Sequence, residues 1–288
     1  MTETRVAVVT GAASGIGMAT CRRLLSEGWS VVAADINEPA LADLMRGLPA
    51  EWVPRVRKAV CDVSDESSVL SAVELAVSEF NALNLMVNNA GIGGAFGPIT
   101  SLEAEDWDFT FKVLTAGVFY GVKHAAAAMI GAATGGSIVN IASTAGQVGG
   151  IGPHAYSAAK AAVISLTRTT AMELASERIR VNAVCPGAVG TPLLHRGDPE
   201  AYAERLRNVQ PWPDACTPED LAGVVAFLAS RDSELITGAA LAVDGGLLAA
   251  GPGPSFMQVL EMDAGAAGLV GINHGSTGQP AIIRRREH

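Results

Sequence analysis

Residues 10–17 read TGAASGIG, and this stretch decides the fold. The preceding residues, 5–10, form a short apolar run rich in β-branched side chains, which is typical of a buried strand. The following residues, 16–27, have a helical pattern that ends at Gly28. A glycine-rich turn in this position lets the backbone approach a pyrophosphate, and the helix N-terminus points free N–H groups at it. The stretch therefore predicts a dinucleotide-binding strand–turn–helix unit.

An acidic residue supports this interpretation. Asp35 follows the last glycine of the turn by 18 positions, at the end of an apolar run over residues 30–34. A carboxylate there can accept hydrogen bonds from the adenosine ribose and would repel a 2′-phosphate. No Lys or Arg stands within residues 12–14 or directly after Asp35 to hold such a phosphate. The sequence therefore favours NAD over NADP as the cofactor.

The rest of the chain repeats the alternation of short apolar runs and helical patterns. This alternation indicates parallel βαβ units and predicts a single-domain, doubly wound Rossmann-type α/β fold of about seven strands over residues 1–250. Residues 186–218 look irregular. Residues 251–288 carry no further βα unit and are predicted to be a C-terminal extension that packs on the core or on a neighbouring subunit. Strands are predicted at residues 5–10, 30–34, 56–61, 83–88, 137–142, 180–184 and 240–243, and helices at 16–27, 39–47, 64–80, 105–130, 156–177 and 218–230.

Composition excludes several classes of protein. Of the 288 residues, 49% are apolar and 17% are charged, which is enough apolar surface for a large core. The net charge of −9 opposes a nucleic-acid partner, and the one basic run, at residues 284–286, is interpreted as a solvated tail. We expect a cytoplasmic protein, because no uninterrupted apolar run is long enough to span a bilayer and no signal-peptide pattern is visible. The four cysteines form no CxxC motif, so neither a disulfide framework nor a metal site is expected.

Tyr156 and Lys160 lie four residues apart in a helical pattern and therefore share one face of the helix. A free tyrosine has a pKa near ~10, and a nearby cation favours the phenolate. Such a pair could exchange a proton with a substrate oxygen at neutral pH. The spacing alone also arises by chance on helix surfaces, but the other two tyrosines, Tyr120 and Tyr202, have no lysine four residues later.

Six segments in chain order resemble the motifs of the short-chain dehydrogenase/reductase family, over residues 1 to about 247. The segments are TGxxxGIG at residues 10–17, Asp62-Val63, NNAG at 88–91, YxxxK at 156–160 with Ser143 thirteen residues before its tyrosine, Pro186-Gly187 followed by Thr191, and VDGG at 243–246. The resemblance implies an NAD-dependent alcohol dehydrogenase or ketone reductase that forms a homotetramer or homodimer.

The resemblance also implies roles for individual residues. Tyr156 would be the general acid/base, and Ser143 would hydrogen-bond the substrate oxygen. Lys160 would bind the nicotinamide ribose and lower the pKa of Tyr156. The cofactor-binding residues implied are Gly11, Ser14, Gly15, Ile16, Gly17, Asp35, Asp62, Val63, Asn89, Ala90, Gly91, Tyr156, Lys160, Pro186, Gly187, Val189 and Thr191.

One residue departs from the family pattern. Leu114 stands where the family usually has an asparagine, which is thought to support a water-linked proton path from the lysine to solvent. Leu114 cannot hydrogen-bond, so the path would be lost, rerouted or taken up by a neighbour such as Thr115. The departure leaves open a non-catalytic NAD-binding protein with a regulatory or scaffold role.

The substrate is expected between the nicotinamide and two segments, residues 144–155 and 192–213. Candidate contacts in them are Gln147, His154, Leu193 and Trp212. The pocket looks mostly apolar, with no obvious cluster of Lys or Arg to hold a phosphate or carboxylate, which favours a neutral, hydrophobic alcohol or ketone. An epimerase or a dehydratase-like reaction on the same fold is a further alternative. The sequence shows no extended substrate domain, which speaks against sugar-nucleotide chemistry.

Overall fold

A seven-stranded parallel sheet forms the centre of the computed structural model, which describes residues 5–191, 210–250, 269–272 and 282–285. The strand order is β3-β2-β1-β4-β5-β6-β7. The chain thus builds one half of the sheet outward from β1 and then crosses back to begin the other half at β4. The strands are β1 (Val6–Thr10), β2 (Ser30–Asp35), β3 (Val56–Val60), β4 (Leu85–Asn88), β5 (Gly136–Ile141), β6 (Ile179–Pro186) and β7 (Ala240–Val243).

Helices cover both faces of the sheet, and for this reason β1 and β4 are buried at every position instead of at alternate ones. The helices α1, α2 and α7 pack with one buried apolar cluster, and α3, α5 and α6 pack with a second cluster on the opposite face. The predicted fold class is confirmed. The helices are α1 (Gly15–Ser26), α2 (Glu38–Arg46), α3 (Glu66–Phe80), α4 (Ala104–Phe111), α5 (Gly117–Ala132), α6 (His154–Leu174), α7 (Pro218–Ala229) and α8 (Leu247–Ala250).

Capping residues in the local sequence determine where α3 and α7 begin. The side chain of Thr217 caps α7 by accepting from the backbone N–H of Asp220, and the Asp220 carboxylate accepts from the backbone N–H of Thr217. Pro218 occupies the first helical position, where its missing N–H costs nothing. Asp65 caps α3 in the same manner by accepting from the backbone N–H of Ser67.

The long helix predicted at residues 105–130 is present over Ala104–Ala132, but it is not a regular α-helix throughout. A π-type segment, Lys112–Ala116, separates α4 from α5, and it contains Leu114. By length and composition alone, the stretch Ala104–Ala132 is long and apolar enough to cross a membrane. Half of its most apolar window is buried inside the fold, as in the core helix of a soluble protein. The π-type segment is a feature that the helical periodicity of the sequence did not reveal.

The chain divides into two compact units, Met1–Leu248 and Ala249–His288. The second unit contains an antiparallel strand pair, β8 (Leu269–Ile272) with β9 (Ile282–Arg285), which was not predicted. Packing of this extension on the core or on a neighbouring subunit stays a prediction. The four cysteines are free and buried.

Candidate active site

The glycine-rich turn joins β1 to α1 and depends on glycine at two positions. Gly11 has a φ of +65°, in the left-handed region that favours glycine. Gly17 has an ordinary φ, but a Cβ atom there would lie 2.0 Å from the carbonyl oxygen of Gly11. The turn can therefore close tightly only because neither residue has a side chain.

Two polar residues hold this turn against the end of β4. The hydroxyl oxygen of Thr10 accepts from the backbone N–H groups of Asn89 and Ala90, at 3.0 and 3.1 Å. The side-chain amide of Asn89 donates to the carbonyl oxygens of Thr10 and Gly11, at 2.9 and 3.2 Å. Because the strand order reverses between β1 and β4, a crevice opens at their carboxyl ends, where ligands bind in open α/β sheets.

A cavity of about 370 Å³ occupies this crevice. It is lined by every residue of the sequence-derived cofactor set except Gly17, which lies behind Gly11. The catalytic candidate Ser143 lines it as well. Sequence motifs did not indicate the other lining residues, which are Ile36, Cys61, Ile92, Phe109, Val113, Ile141 and Ala142.

The lining fits a dinucleotide. The backbone of the glycine turn and the N-terminus of α1 face one wall, which suits a pyrophosphate. Asp35 ends β2 at the same cavity, where a carboxylate can bind ribose hydroxyls. Ile36, 66% exposed, follows it where a cation for a 2′-phosphate would be needed. Among the described lining residues, the charged ones are Asp35, Asp62 and Lys160.

The three catalytic candidates reach the cavity from two elements. Ser143 follows β5, and its side-chain oxygen accepts from the backbone N–H of Ala145 at 3.1 Å. Tyr156 and Lys160 lie near the start of α6, with the Lys160 Nζ 5.7 Å from the centre of the Tyr156 ring. The structure thus brings the three predicted side chains to the wall of one cavity.

Lys160 is 4% exposed, and its Nζ donates to the carbonyl oxygen of Ile141 at 2.7 Å. Burial lowers the pKa of Lys160 to about 8, because an ammonium loses hydration inside the protein. An ammonium carries three donors, so the group retains hydrogen-bonding capacity beyond the bond to Ile141.

The pKa of Tyr156 depends on its surroundings in the fold. Burial raises the pKa of Tyr156 above its usual value, and the Ser143 side chain partly offsets this by hydrogen bonding. The physical reason is that a phenolate loses hydration in the half-buried position of Tyr156. An effect of Lys160 on this pKa stays a prediction.

Leu114 is fully buried in the π-type segment. A Cβ atom on Gly91 would lie 3.2 Å from a Leu114 methyl and 4.0 Å from the Lys160 Nζ, so the leucine packs on the same side of the site as the lysine. The hydroxyl of Thr115 donates to the carbonyl oxygen of Ala159, at 3.4 Å. In this structure the Thr115 hydroxyl therefore contacts the backbone of α6 and not the Lys160 amine.

The proposed substrate contacts lie away from the cavity lining. His154 and Gln147 are exposed, and the Gln147 side-chain amide lies 3.5 Å from the carbonyl oxygen of Ala240. Trp212 is also exposed, and none of these three lines the cavity formed by the described residues. Leu193 lies outside the described residues. Their contact with a substrate stays a prediction.

Several known proteins are similar to this chain over most of its length. A family model described as enoyl-(acyl carrier protein) reductase matches residues 11–248. A cis-4-hydroxycyclohexanecarboxylate dehydrogenase from Sinomonas cyclohexanicum is 43% identical, over 85% of this chain and 97% of its own. A (+)-borneol dehydrogenase from Salvia officinalis is 40% identical, over 84% and 88%. The crystal structure of levodione reductase superposes with a TM-score of 0.79 at 34% identity, over 86% and 98%.

Proposed function

We infer a function from one premise: this chain belongs to the short-chain dehydrogenase/reductase family and is an oxidoreductase of that family. We propose that it uses NAD(H) to interconvert a secondary alcohol and a ketone on a neutral, largely apolar substrate. The observation that carries the proposal is that Ser143, Tyr156 and Lys160 line the same cavity as the glycine-rich turn. A cofactor on that turn and a substrate at those side chains would share one cavity.

NAD is proposed over NADP on two grounds. The Asp35 carboxylate lines the cavity at the end of β2, where it suits two free ribose hydroxyls and would repel a phosphate. The next residue, Ile36, presents no positive charge to that phosphate.

The substrate class follows from the lining and from the relatives. No charged group other than Lys160 stands near Ser143 and Tyr156 among the described lining residues. The names of three of the relatives point to ring-bearing alcohols and ketones: hydroxycyclohexanecarboxylate, borneol and levodione. We therefore propose a cyclic secondary alcohol, or the corresponding ketone, as the substrate.

The side chains of this cavity would perform the acid–base part of the reaction. A bound nicotinamide ring supplies the hydride chemistry. Ser143 would donate its hydroxyl proton in a hydrogen bond to the substrate oxygen and so hold it beside Tyr156. Tyr156 would take the hydroxyl proton during oxidation and return it to the oxygen during reduction. Lys160 would bind ribose hydroxyls with the donors that Ile141 leaves available.

The test is a spectrophotometric assay of the purified protein. NAD and a panel of cyclic secondary alcohols should produce the absorbance of reduced nicotinamide, and NADP should produce less. Tyr156→Phe should lower kcat/KM by about 10²–10⁴-fold, the usual contribution of a general acid/base. The same variant should still bind NAD in calorimetry, with a loss of affinity far smaller than the loss of kcat/KM. NAD binding without any turnover on a broad panel would overturn the dehydrogenase assignment.

A second candidate rests on Leu114. If proton exchange at Lys160 needs a polar neighbour, a buried leucine would slow turnover and leave NAD binding intact. The chain would then act as an NAD-binding regulatory or scaffold module. The retained Ser143, Tyr156 and Lys160 favour the enzyme.

Location and assembly follow from the same proposal. We propose a cytoplasmic homodimer or homotetramer that needs neither metal nor nucleic acid. Mass photometry of the full chain would test the oligomeric state.

A further inference from the structure

Phe109 is an aromatic residue of the cavity to which no sequence motif assigns a role. It lies in α4, is 54% exposed, and still lines the cavity. A ring that is open to solvent on one side and borders a cavity on the other has a surface available to a ligand.

The helix around Phe109 shows which end of the cavity the ring borders. Phe109, Val113 and Gly117 are four residues apart, so they lie near one face of the helix. On this face a Cβ atom at Gly117 would touch Val63 at 3.0 Å, and Val113 shares a buried cluster with Val63. The face that carries Phe109 therefore runs along the segment that follows β3.

This segment is far from the catalytic side chains. In the sheet, β3 and β5 are separated by β2, β1 and β4. Four strand spacings of about 4.8 Å amount to about 19 Å. A dinucleotide with its pyrophosphate on the turn after β1 would extend one half toward β5 and α6, where Tyr156 and Lys160 lie. Its adenosine half would extend toward Asp35 and Val63.

We propose that Phe109 forms an aromatic wall of the adenine pocket and packs its ring against the adenine base. The inference rests on the proposed use of NAD and adds a cofactor contact that no motif of this chain indicated. Val63 and Val113 would supply the apolar inner part of the pocket, and Phe109 would cover its solvent side. Aromatic side chains suit this position, because every adenine presents a π-face for stacking.

Calorimetry with two ligands tests the inference. ADP-ribose carries the adenosine and both phosphates but lacks the nicotinamide ring. Phe109→Ala should raise the Kd of both NAD and ADP-ribose by about tenfold, the scale of losing one base–aromatic contact. Phe109→Trp should keep both values within about threefold of the wild type, because an aromatic face is retained. Phe96→Ala, which removes an exposed ring outside the cavity lining, should leave both values unchanged.

The outcomes of these binding measurements distinguish the adenine contact from the proposed function. Unchanged ADP-ribose affinity in Phe109→Ala, with or without weaker NAD binding, would overturn the adenine contact and leave the proposed function standing. Wild-type protein that binds neither ligand would overturn the proposed function itself. Thermal melting of each variant checks its folding, and if Phe109→Ala does not fold, Phe109→Leu replaces it, with the same weakening expected for a side chain without an aromatic face.

Discussion

The Asp35 carboxylate accepts a hydrogen bond from the backbone N–H of Ala13 at 2.9 Å, which links the end of β2 to the glycine-rich turn. Its second oxygen accepts from the backbone N–H of Asn37 at 2.9 Å. The residue that sequence reasoning selected for its charge therefore also orders the loop that would hold the pyrophosphate. A substitution that separates the two roles must keep an acceptor and remove the charge.

Asp35→Asn meets this condition. The amide oxygen can still accept from Ala13, but the negative charge that would repel a 2′-phosphate is gone. The ratio of kcat/KM with NAD to kcat/KM with NADP should fall by about tenfold, equivalent to about 1.4 kcal/mol. Steady-state kinetics with both cofactors measures it, and Asp43→Asn, at an exposed position on α2, is the control. An unchanged ratio would show that Asp35 does not select the cofactor.

Gly17→Ala tests the tight closure of the turn. The added methyl would meet the carbonyl oxygen of Gly11 at 2.0 Å, and backbone cannot yield as a flexible side chain would. We expect a loss of about 1–3 kcal/mol of stability and a large loss of NAD affinity, measured by chemical denaturation and calorimetry. Gly131→Ala in α5 is the matched control, because a Cβ there meets nothing within 4 Å. Normal NAD binding by Gly17→Ala would contradict this geometry.

The raised pKa of Tyr156 sets the direction of the pH dependence. Alcohol oxidation needs the phenolate, whereas ketone reduction needs the phenol. The kcat/KM for oxidation should therefore still be rising with pH at the usual tyrosine pKa, near ~10, while that for reduction stays level below it. Ser143→Ala should move the oxidation limb to higher pH, because the Ser143 hydrogen bond lowers this pKa. An oxidation profile that levels off near neutral pH would contradict a raised pKa.

The raised pKa of one buried thiol, that of Cys21, predicts a loss of stability at high pH. Burial raises the pKa of Cys21 from 9.0 to about 12. Its folded-state value lies above the unfolded one, so its stabilisation is complete below pH 9 and is lost as the pH rises toward 12. Between pH 9 and about 10.5 this loss amounts to about 2 kcal/mol. Urea unfolding at the two pH values should show a smaller decrease for Cys21→Ala than for the wild type; equal decreases would refute the assignment.

Leu114→Asn separates the enzyme from the non-catalytic alternative. An amide in this fully buried position should lower the melting temperature, because it replaces apolar contacts and loses hydration. If the wild type is a competent enzyme, kcat should change by less than about tenfold. A gain of about 100-fold or more would show that the leucine holds the wild type in an impaired state. Single-turnover and steady-state rates with NAD distinguish the two results.

The sheet could be predicted because each of its strands has a local signal. Strands covered on both faces appear as short apolar runs such as residues 6–10, and parallel order follows from the helices between them. Motif residues from distant segments were expected to meet, because the carboxyl ends of parallel strands share one edge. That edge is where Asn89, Ser143 and Pro186 line the cavity.

Features that arise from tertiary contacts could not be predicted from the sequence. The Asn88 side-chain amide donates to the Asn140 side chain at 2.8 Å, and Asn140 donates to Thr167 at 2.9 Å, across β4, β5 and α6. No spacing rule relates these three residues. Burial raises the pKa of Tyr156, and this shift could not be predicted from spacing either, since burial depends on the folded surroundings. The β8–β9 pair has only a weak alternating pattern and was also missed.

The π-type segment makes the number of residues between α4 and α5 structurally important. Residues 112–116 set the rotation of α5 relative to α4, so that Phe109 borders the cavity while Val118 and Met129 face the sheet. A π-turn holds one residue more than an α-turn, so removing one residue there would leave a regular α-turn with both halves still aligned, whereas adding one would turn one half by about 100° against the other. Substitutions or a single deletion within the segment can therefore preserve this alignment, but an insertion cannot.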